Sequence, residues 1–422
     1  MFLYRLQKGN KEMASGKERI IGLSGALLAI LLLFGLFHTP DTRVTMFQES
    51  EFSRSINWNT YRMDITHIGL APIDSTVNGD LVPVWRTDRL NWAEYTASKS
   101  SPAVDDECLY IGLDTRALVA IDRLTGETRW SFYTRLSKNG IHGSPTIDTE
   151  RNLVYIGAYD GWLYAVNRET GEQVWNSRLG DYIGSSPTLY DGVVYIGVEM
   201  RAPDGYLVGV DADNGREVFR SDKLGNHPHS TPTIDPESDC IFIGENNGYL
   251  HCYWLANQSE RWSFKTGADI KSTAAILDGV VYITSWDECL YAVNISTGYS
   301  IWAHSGRGSS MSSPTLDPEK GIVYYGDHSG TLYAANTSTG RTIWRYQTDG
   351  RILSSPTLVT KTHTVLVGSW DGHVYLLDSL SGELKQKVQL FSGLTGVPVV
   401  VGDHLYVFDH LGYLYSFTEN IS

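Results

Sequence analysis

The sequence lacks the short motifs that mark common catalytic sites. Its 422 residues contain no G-x-S-x-G, no H-E-x-x-H and no phosphate-binding glycine loop. The spacing of residues along the sequence therefore identifies no nucleophile with a base and an orienting group. We expect no catalytic residue, and an enzymatic function would have to be inferred from family resemblance.

Positive charge is also scarce relative to negative charge. The formal net charge is −14, and the repeated part of the chain carries no cluster of Lys and Arg. A nucleic-acid-binding protein needs a basic surface to neutralise phosphates. The charge balance therefore argues against a nucleic-acid partner.

Only four cysteines occur: Cys108, Cys240, Cys252 and Cys289. Cys240 and Cys252 flank one predicted hairpin. With a two-residue turn at Asn247-Gly248, the two cysteines would project from opposite faces of the hairpin and could not bridge. We interpret the cysteines as small buried apolar residues. A disulfide and a metal site are less favoured alternatives, and no C-x-x-C spacing supports metal binding.

Long apolar runs are absent except for one near the N-terminus. Residues 20–37 carry no charge and, as a helix, would span about 27 Å, close to the thickness of a bilayer core. The basic segment 1–19 precedes the run, so the positive-inside rule predicts a cytoplasmic N-terminus and a periplasmic or extracellular remainder. We expect a retained signal anchor followed by a tether over 38–57. A cleaved signal peptide is the alternative.

The rest of the chain, 58–422, is a set of copies of one pattern. The template lies at 143–180 and reads as four short β-branched and aromatic runs with a turn signal after each. Asp160-Gly161 predicts a type I′ hairpin turn, and Thr170-Gly171 predicts the next turn. Each copy therefore predicts a four-stranded antiparallel meander.

The copies recur at intervals of 40 to 45 residues, which is the size of a propeller blade. Their first strands are marked by Pro102, Pro145, Pro187, Pro232, Ala274, Pro314, Pro356 and Pro398. The last copy ends after three strands, and an orphan strand at Leu81–Arg86 resembles the missing fourth. Joining the two would close a ring and remove a free sheet edge. We predict an all-β, eight-bladed propeller closed by its N-terminal strand.

The repeats resemble the pyrroloquinoline-quinone-type (PQQ-like) repeat. The A-x-(D/N)-x-x-T-G-x-x-x-W pattern is carried by Ala165, Asn167, Thr170, Gly171 and Trp175, and it recurs in other copies. The segment from Trp58 to Gly69 resembles the lead-in of such propellers. In this family, the resemblance implies that aromatic residues dock neighbouring blades, here Trp85, Trp130, Trp175, Phe219, Trp262, Trp302 and Trp344.

Two branches of the family give different expectations of function. Quinoprotein dehydrogenases hold the quinone with calcium or a lanthanide beside adjacent cysteines, and this sequence has no Cys-Cys pair. BamB-like proteins are non-catalytic scaffolds of the bacterial envelope. We favour a membrane-anchored, exported scaffold that binds an envelope or membrane protein, works as a monomeric propeller and needs no cofactor. The alternative is a small PQQ-dependent dehydrogenase acting on an alcohol or sugar.

Strand direction places the loops between second and third strands at the same end as the loops entering each blade. Aromatic and cationic residues in these loops form the candidate binding surface, because protein interfaces favour them. Packing against a neighbouring blade is the alternative for the tryptophans. We expect no metal, because His227-Pro228-His229 would need a third ligand. The candidates are His142, Tyr159, Tyr182, His227, His229, Lys271, Trp286, Met311, Arg351 and Trp370.

Overall fold

The computed structural model describes residues 58–92, 100–135 and 139–420. Within these ranges the chain forms eight separate sheets, each of four antiparallel strands, and one short 3-10 helix at Thr360–Thr362. The predicted eight-bladed propeller is therefore confirmed.

The strands of blades 1 to 4 follow one another along the chain. They are β2 Ala103–Val104, β3 Cys108–Gly112, β4 Ala117–Asp122 and β5 Thr128–Tyr133; β6 Thr146–Asp148, β7 Leu153–Gly157, β8 Trp162–Asn167 and β9 Gln173–Arg178; β10 Thr188–Tyr190, β11 Val193–Glu199, β12 Gly205–Asp211 and β13 Glu217–Arg220; β14 Thr233–Asp235, β15 Cys240–Gly244, β16 Tyr249–Trp254 and β17 Glu260–Lys265.

Blades 5 to 7 repeat the arrangement. They consist of β18 Ala275–Leu277, β19 Val280–Thr284, β20 Cys289–Asn294 and β21 Ser300–Ser305; β22 Thr315–Asp317, β23 Ile322–Gly326, β24 Thr331–Asn336 and β25 Thr342–Gln347; β26 Thr357–Val359, β27 Thr364–Ser369, β28 His373–Asp378 and β29 Leu384–Gln389.

Blade 8 joins the two ends of the propeller. Its inner strands are β30 Val399–Val401, β31 His404–Phe408 and β32 Leu414–Glu419, and its outer strand is β1 Leu81–Arg86. Leu81 pairs with Glu419 and Arg86 with Tyr415. The orphan strand predicted from sequence thus completes the last blade and removes the free edge of β32.

The hairpin turns differ from the predicted type I′. In the template the Gly161 N–H donates to the Ala158 carbonyl at 3.0 Å, and only Gly161 of the loop has a positive φ, +81°. This is a three-residue loop in which glycine ends a β-turn. In blade 3 the sequence also carries an Asp-Gly pair, Asp204-Gly205, but Gly205 already pairs with Glu199 within the sheet, so the hairpin loop precedes it at residues 200–204.

The extra loop residue moves the strand register by one and overturns the prediction for the cysteines. Cys240 pairs with Trp254, and Cys252 pairs with Phe242. Side chains alternate between faces, so a one-residue shift places both cysteines on the same face. Their Sγ atoms lie 3.2 Å apart, and both are buried free thiols. The prediction of opposite faces was wrong.

The seams between blades are built from an aromatic side chain, a glycine and a carbonyl. Trp130 packs on Gly171 of the next blade, where a Cβ would lie 2.7 Å from the indole, and its Nε1–H donates to the Arg168 carbonyl at 3.0 Å. The same indole-to-carbonyl bond is made by Trp85, Trp175, Trp262, Trp302 and Trp344. Phe219 of blade 3 contacts Tyr253 of blade 4 edge-on instead, at 6.4 Å between ring centroids.

The first strands of the blades are linked to one another around the ring. The Thr146 hydroxyl donates to the Pro187 carbonyl of the next blade at 2.6 Å. Equivalent bonds are made by Thr188, Thr233, Thr315 and Thr357. The Val397 N–H donates to the Ser101 hydroxyl, which joins blade 8 to blade 1. The repeated Ser-Pro-Thr segment therefore connects blades as well as starting strands.

The lead-in segment, residues 58–71, pairs with these first strands. Trp58 exchanges backbone hydrogen bonds with Val104 of blade 1, and the Asn59 carbonyl accepts from Ile147 of blade 2. Further carbonyls of the lead-in accept hydrogen bonds from blades 4 to 7, at Ile234, Ile276, Leu316 and Leu358. Successive residues of the lead-in thus pair with blades in the order in which these blades follow along the chain.

The predicted anchor at 20–37, the segment 1–19 and the tether at 38–57 lie outside the described residues. Over the described ranges we find no helix with the length and hydropathy that crossing a membrane requires.

Candidate functional site

The loops that enter the blades and the loops between second and third strands meet at one end of the propeller, which we call the channel mouth. The Tyr159 N–H donates to the Gly140 carbonyl at 2.9 Å, and the Trp286 N–H donates to the Asp269 carbonyl at 2.9 Å. Trp370 is held in the same way by Arg351. Backbone bonds thus fix the two kinds of loop against each other.

One group of predicted residues forms an aromatic chain across blades 2 and 3. The His142 ring lies 4.3 Å from that of Tyr159, and Tyr159 lies 6.1 Å from Tyr182. His142 Nε2 is 3.2 Å from Asp114 Oδ1. Burial, and then the nearby Glu199 carboxylate, raises the pKa of Tyr159. Tyr159 therefore carries its proton at neutral pH.

A second group contains both predicted histidines of blade 4 and a carboxylate from blade 3. Glu199 ends β11, and its side chain is only 3% exposed. His227 Nδ1 lies 3.5 Å from Glu199 Oε2, and His229 Nδ1 lies 3.2 Å from Glu199 Oε1. The ligand-type atoms of all three lie within 4.8 Å of one another.

A third group consists of two cation–π pairs on blades 5 and 7. Lys271 Nζ lies 4.0 Å above the Trp286 ring, and Arg351 Cζ lies 4.9 Å above the Trp370 ring. Both indoles remain 36% exposed. Each indole also contacts a histidine of the following blade, at 5.8 Å to His328 and 5.0 Å to His410. The tryptophans therefore pack on a neighbouring blade and still present a face to solvent.

Met311 is half-buried in the loop entering blade 6, apart from these three groups. The structure thus places the ten candidates at one end of the propeller, with the first and second groups beside a common cavity and the third group on blades 5 and 7.

Several residues of the channel mouth were not predicted from the sequence. Asp114, Glu199, His328 and His410 come from second-strand ends or hairpin loops, where the repeat pattern varies from blade to blade. Glu199 had one available signal. Blade 3 carries the longest interval between successive first strands, and its longer hairpin loop follows Glu199 directly.

A cavity of about 690 Å³ opens beside the second group. It is large enough for a small molecule or for a side chain of a partner. Arginines and acidic residues of blades 2 and 3 surround it together with the aromatic chain. Its lining comprises Arg135, Asn139, Tyr159, Asp160, Trp162, Arg178, Asp181, Tyr182, Glu199, Arg201, His227 and His229.

Comparison with known families gives one match over most of the propeller. A family model described as "Outer membrane protein assembly factor BamB" matches residues 118–234 and 203–420. Among curated proteins, the outer membrane protein assembly factor BamB of Shewanella oneidensis is 28% identical over 226 residues, covering 49% of this chain and 56% of that protein.

Quinoproteins are similar as well. The quinohemoprotein alcohol dehydrogenase of Comamonas testosteroni is 23% identical over 190 residues, covering 41% of this chain and 27% of that protein. The alignments thus span about half of the length of the BamB relative and about a quarter of the length of the dehydrogenase.

Two solved structures share the fold. BamB from Moraxella catarrhalis superposes with a TM-score of 0.65 at 19% identity, covering 81% of this chain and 98% of that one. A europium-containing methanol dehydrogenase superposes with a TM-score of 0.73 at 12% identity, covering 86% and 98%. Similarity at these identities describes the fold alone.

Proposed function

The chain belongs to the PQQ-like repeat family described as outer membrane protein assembly factor BamB, and from this membership we propose that it is an envelope scaffold. In this proposal the propeller binds a protein partner through the channel mouth and needs no cofactor for that role. Residues 20–37 anchor it in a membrane, and the propeller lies on the periplasmic or extracellular side.

The observation that carries the proposal is the pair of exposed cation–π contacts on blades 5 and 7. Trp286 and Trp370 are each 36% exposed, and each already bears a cation on one face. Large aromatic and arginine side chains contribute most to binding energy at protein interfaces. Because the loops are fixed by backbone bonds, a partner would meet a surface that needs little reordering.

Photo-crosslinking in intact cells tests this proposal. A photoreactive amino acid replaces Trp370 in one variant and Leu124 in another. Leu124 is 77% exposed in a turn at the end of the propeller opposite the channel mouth. We expect one envelope protein to crosslink from position 370 and not from position 124. No crosslink from position 370, or the same products from both positions, would contradict the proposal.

A matched substitution measures the contribution of the cation–π pair. Changing Arg351 and Trp370 together to Ala should reduce recovery of that partner from detergent-solubilised membranes at least tenfold. Leu124→Ala is the control and should leave recovery unchanged. The three side chains lie at loop surfaces, so neither variant should alter the fold.

A quinone-dependent dehydrogenase is the second candidate, supported by the sequence similarity to quinohemoproteins. The residues of this chain do not fit that cofactor set. No two cysteines are adjacent, and the Glu199 carboxylate faces two imidazoles, whereas calcium prefers oxygen ligands. Titration of the purified protein with pyrroloquinoline quinone and Ca²⁺ tests it directly. Saturable binding with dye reduction in the presence of an alcohol would favour the dehydrogenase.

A further inference from the structure

Glu199, His227 and His229 converge from two blades on one point of the channel mouth. Glu199 belongs to blade 3, and the two histidines belong to the loop that enters blade 4. His227 Nδ1 lies 3.5 Å from Glu199 Oε2, and His229 Nδ1 lies 3.2 Å from Glu199 Oε1, so each imidazole is about one edge of a tetrahedral metal site from a different oxygen of the carboxylate. With metal–ligand bonds of about 2.0–2.1 Å, such an edge measures about 3.3 Å.

The orientation of the His227 ring is set by its other nitrogen. Nε2 lies 3.0 Å from the Met200 carbonyl and 3.3 Å from the Ala202 carbonyl. A carbonyl oxygen only accepts, so Nε2 carries the hydrogen. In the neutral ring, the Nδ1 lone pair then points toward the Glu199 carboxylate. Metal-binding histidines are usually oriented by this kind of bond from the second nitrogen.

Pro228 holds the two histidines in place between strands of blade 3. A Cβ at Gly197 would lie 2.6 Å from the Pro228 carbonyl oxygen, and a Cβ at Gly205 would lie 2.3 Å from Pro228 Cδ. Only glycine leaves room for the proline at both positions. The His229 N–H also donates to the His227 carbonyl at 3.2 Å, which closes a tight turn around Pro228. The histidines are therefore positioned by the backbone before any ligand binds.

In the neutral His227 ring, the Nδ1 lone pair and the Glu199 oxygen 3.5 Å away repel unless a cation lies between them. The cation is either a proton on imidazole or a metal ion. Two imidazoles with one carboxylate are a donor set suited to divalent zinc, copper or nickel, and unsuited to calcium or magnesium. We propose that Glu199, His227 and His229 bind one divalent transition-metal ion.

Three protein ligands leave a coordination position open to the adjoining cavity. A Cβ at Gly184 would lie 2.8 Å from both Glu199 Oε1 and Tyr159 Oη, and 3.2 Å from His229 Nδ1. Because Gly184 has no Cβ, the space between these three atoms stays open. A bound ion would present its free position there to water or to an oxygen or nitrogen ligand.

Calorimetric titration of the full, tag-free, chelator-treated protein with Zn²⁺ tests the site. We expect one equivalent to bind, and we expect Glu199→Gln and His229→Gln each to weaken binding at least tenfold. Gly184→Ala should weaken it similarly by filling the space. His251→Gln is the matched control, because that ring faces Glu245 and Glu260 through its two different nitrogens, and the affinity of this variant for Zn²⁺ should equal that of the wild type.

Titration with Co²⁺ identifies the ligands. We expect a visible spectrum without the charge-transfer absorption of a thiolate, since the site contains no sulfur. A thiolate band would assign binding to one or more of the four free cysteines and overturn the proposal. Absence of saturable Zn²⁺ binding, or equal binding by the wild type and the folded His229→Gln and Gly184→Ala variants, would overturn it as well. Circular dichroism establishes that each variant is folded.

Discussion

The lead-in segment and the channel mouth both contain buried ionisable groups, but the bonding partners of these groups differ. Arg62 donates to the Ser313 and Pro314 carbonyls and to the Thr315 hydroxyl, each at 2.6 Å. Glu199 instead faces two histidine side chains. Groups bound to the backbone of another element hold the framework together. The proposed metal site instead consists of groups that face one another across two blades.

Arg62→Ala should have the largest effect on stability. The side chain is fully buried, and its removal leaves two carbonyls unsatisfied and a cavity among blades. We expect a loss of about 3–5 kcal/mol in the free energy of unfolding. Urea unfolding measures it. Arg201→Ala is the control, since that side chain is 82% exposed and should change stability by less than about 0.5 kcal/mol. Equal losses of stability in the two variants would show that Arg62 does not hold the blades together.

The lead-in should also make stability depend on pH through His67. Burial lowers the pKa of this fully enclosed ring to about 4, whereas an unfolded histidine titrates near 6.5. Between these values the unfolded state binds more protons, so stability falls as pH falls from 6.5 toward 4. We expect a loss of about 2–3 kcal/mol over that window. Urea unfolding from pH 7 to 5 should show a steeper fall for the wild type than for His67→Gln, and parallel curves would contradict this assignment.

The seams provide a third comparison with a built-in control. Gly171 and Gly279 have nearly the same backbone angle, with φ of +74° and +73°. A Cβ at Gly171 would lie 2.7 Å from Trp130, whereas nothing lies within 4 Å at Gly279. Both alanine variants carry the cost of a positive φ, but only Gly171→Ala also displaces the indole. We expect Gly171→Ala to lose about 1–3 kcal/mol more than Gly279→Ala, measured by thermal or urea unfolding. Equal losses would show that the indole does not brace the seam.

Glu199→Gln should have the smallest effect. In metal-free protein we expect the free energy of unfolding to change by less than about 1 kcal/mol, because the substitution keeps the shape and the facing histidines are partly exposed. A loss of stability as large as that of Arg62→Ala would show that Glu199 also holds the blades together, and the two regions would then not differ.

The features that repeat along the chain could be predicted from the sequence. The blade length, the strand at Leu81–Arg86 that closes blade 8 and the PQQ-like family membership all follow from a pattern copied along the chain. Trp130 and Gly171 recur in it because each copy meets the next in the same way.

The features it missed depend on contacts between distant parts of the chain or on one residue of loop length. The three-residue hairpin differs from a two-residue turn by a single position, yet that position decides which face Cys240 and Cys252 share. Glu199 lies 28 residues before His227 in the sequence, and only the meeting of two blades brings them together. The partners of Arg62 are two carbonyls and one hydroxyl about 250 positions away, which no local pattern encodes.

The ordered contacts of the lead-in have a consequence for the way the protein is made. Synthesis produces the lead-in before any blade, and its successive residues offer docking positions to blades 1, 2, 4, 5, 6 and 7 in the order in which they emerge. In a growing chain, the lead-in residues that pair with a blade are therefore present before that blade is made. Among the described strands β1 pairs with β32, so blade 8 can be completed only after blades 1 to 7 have been synthesised.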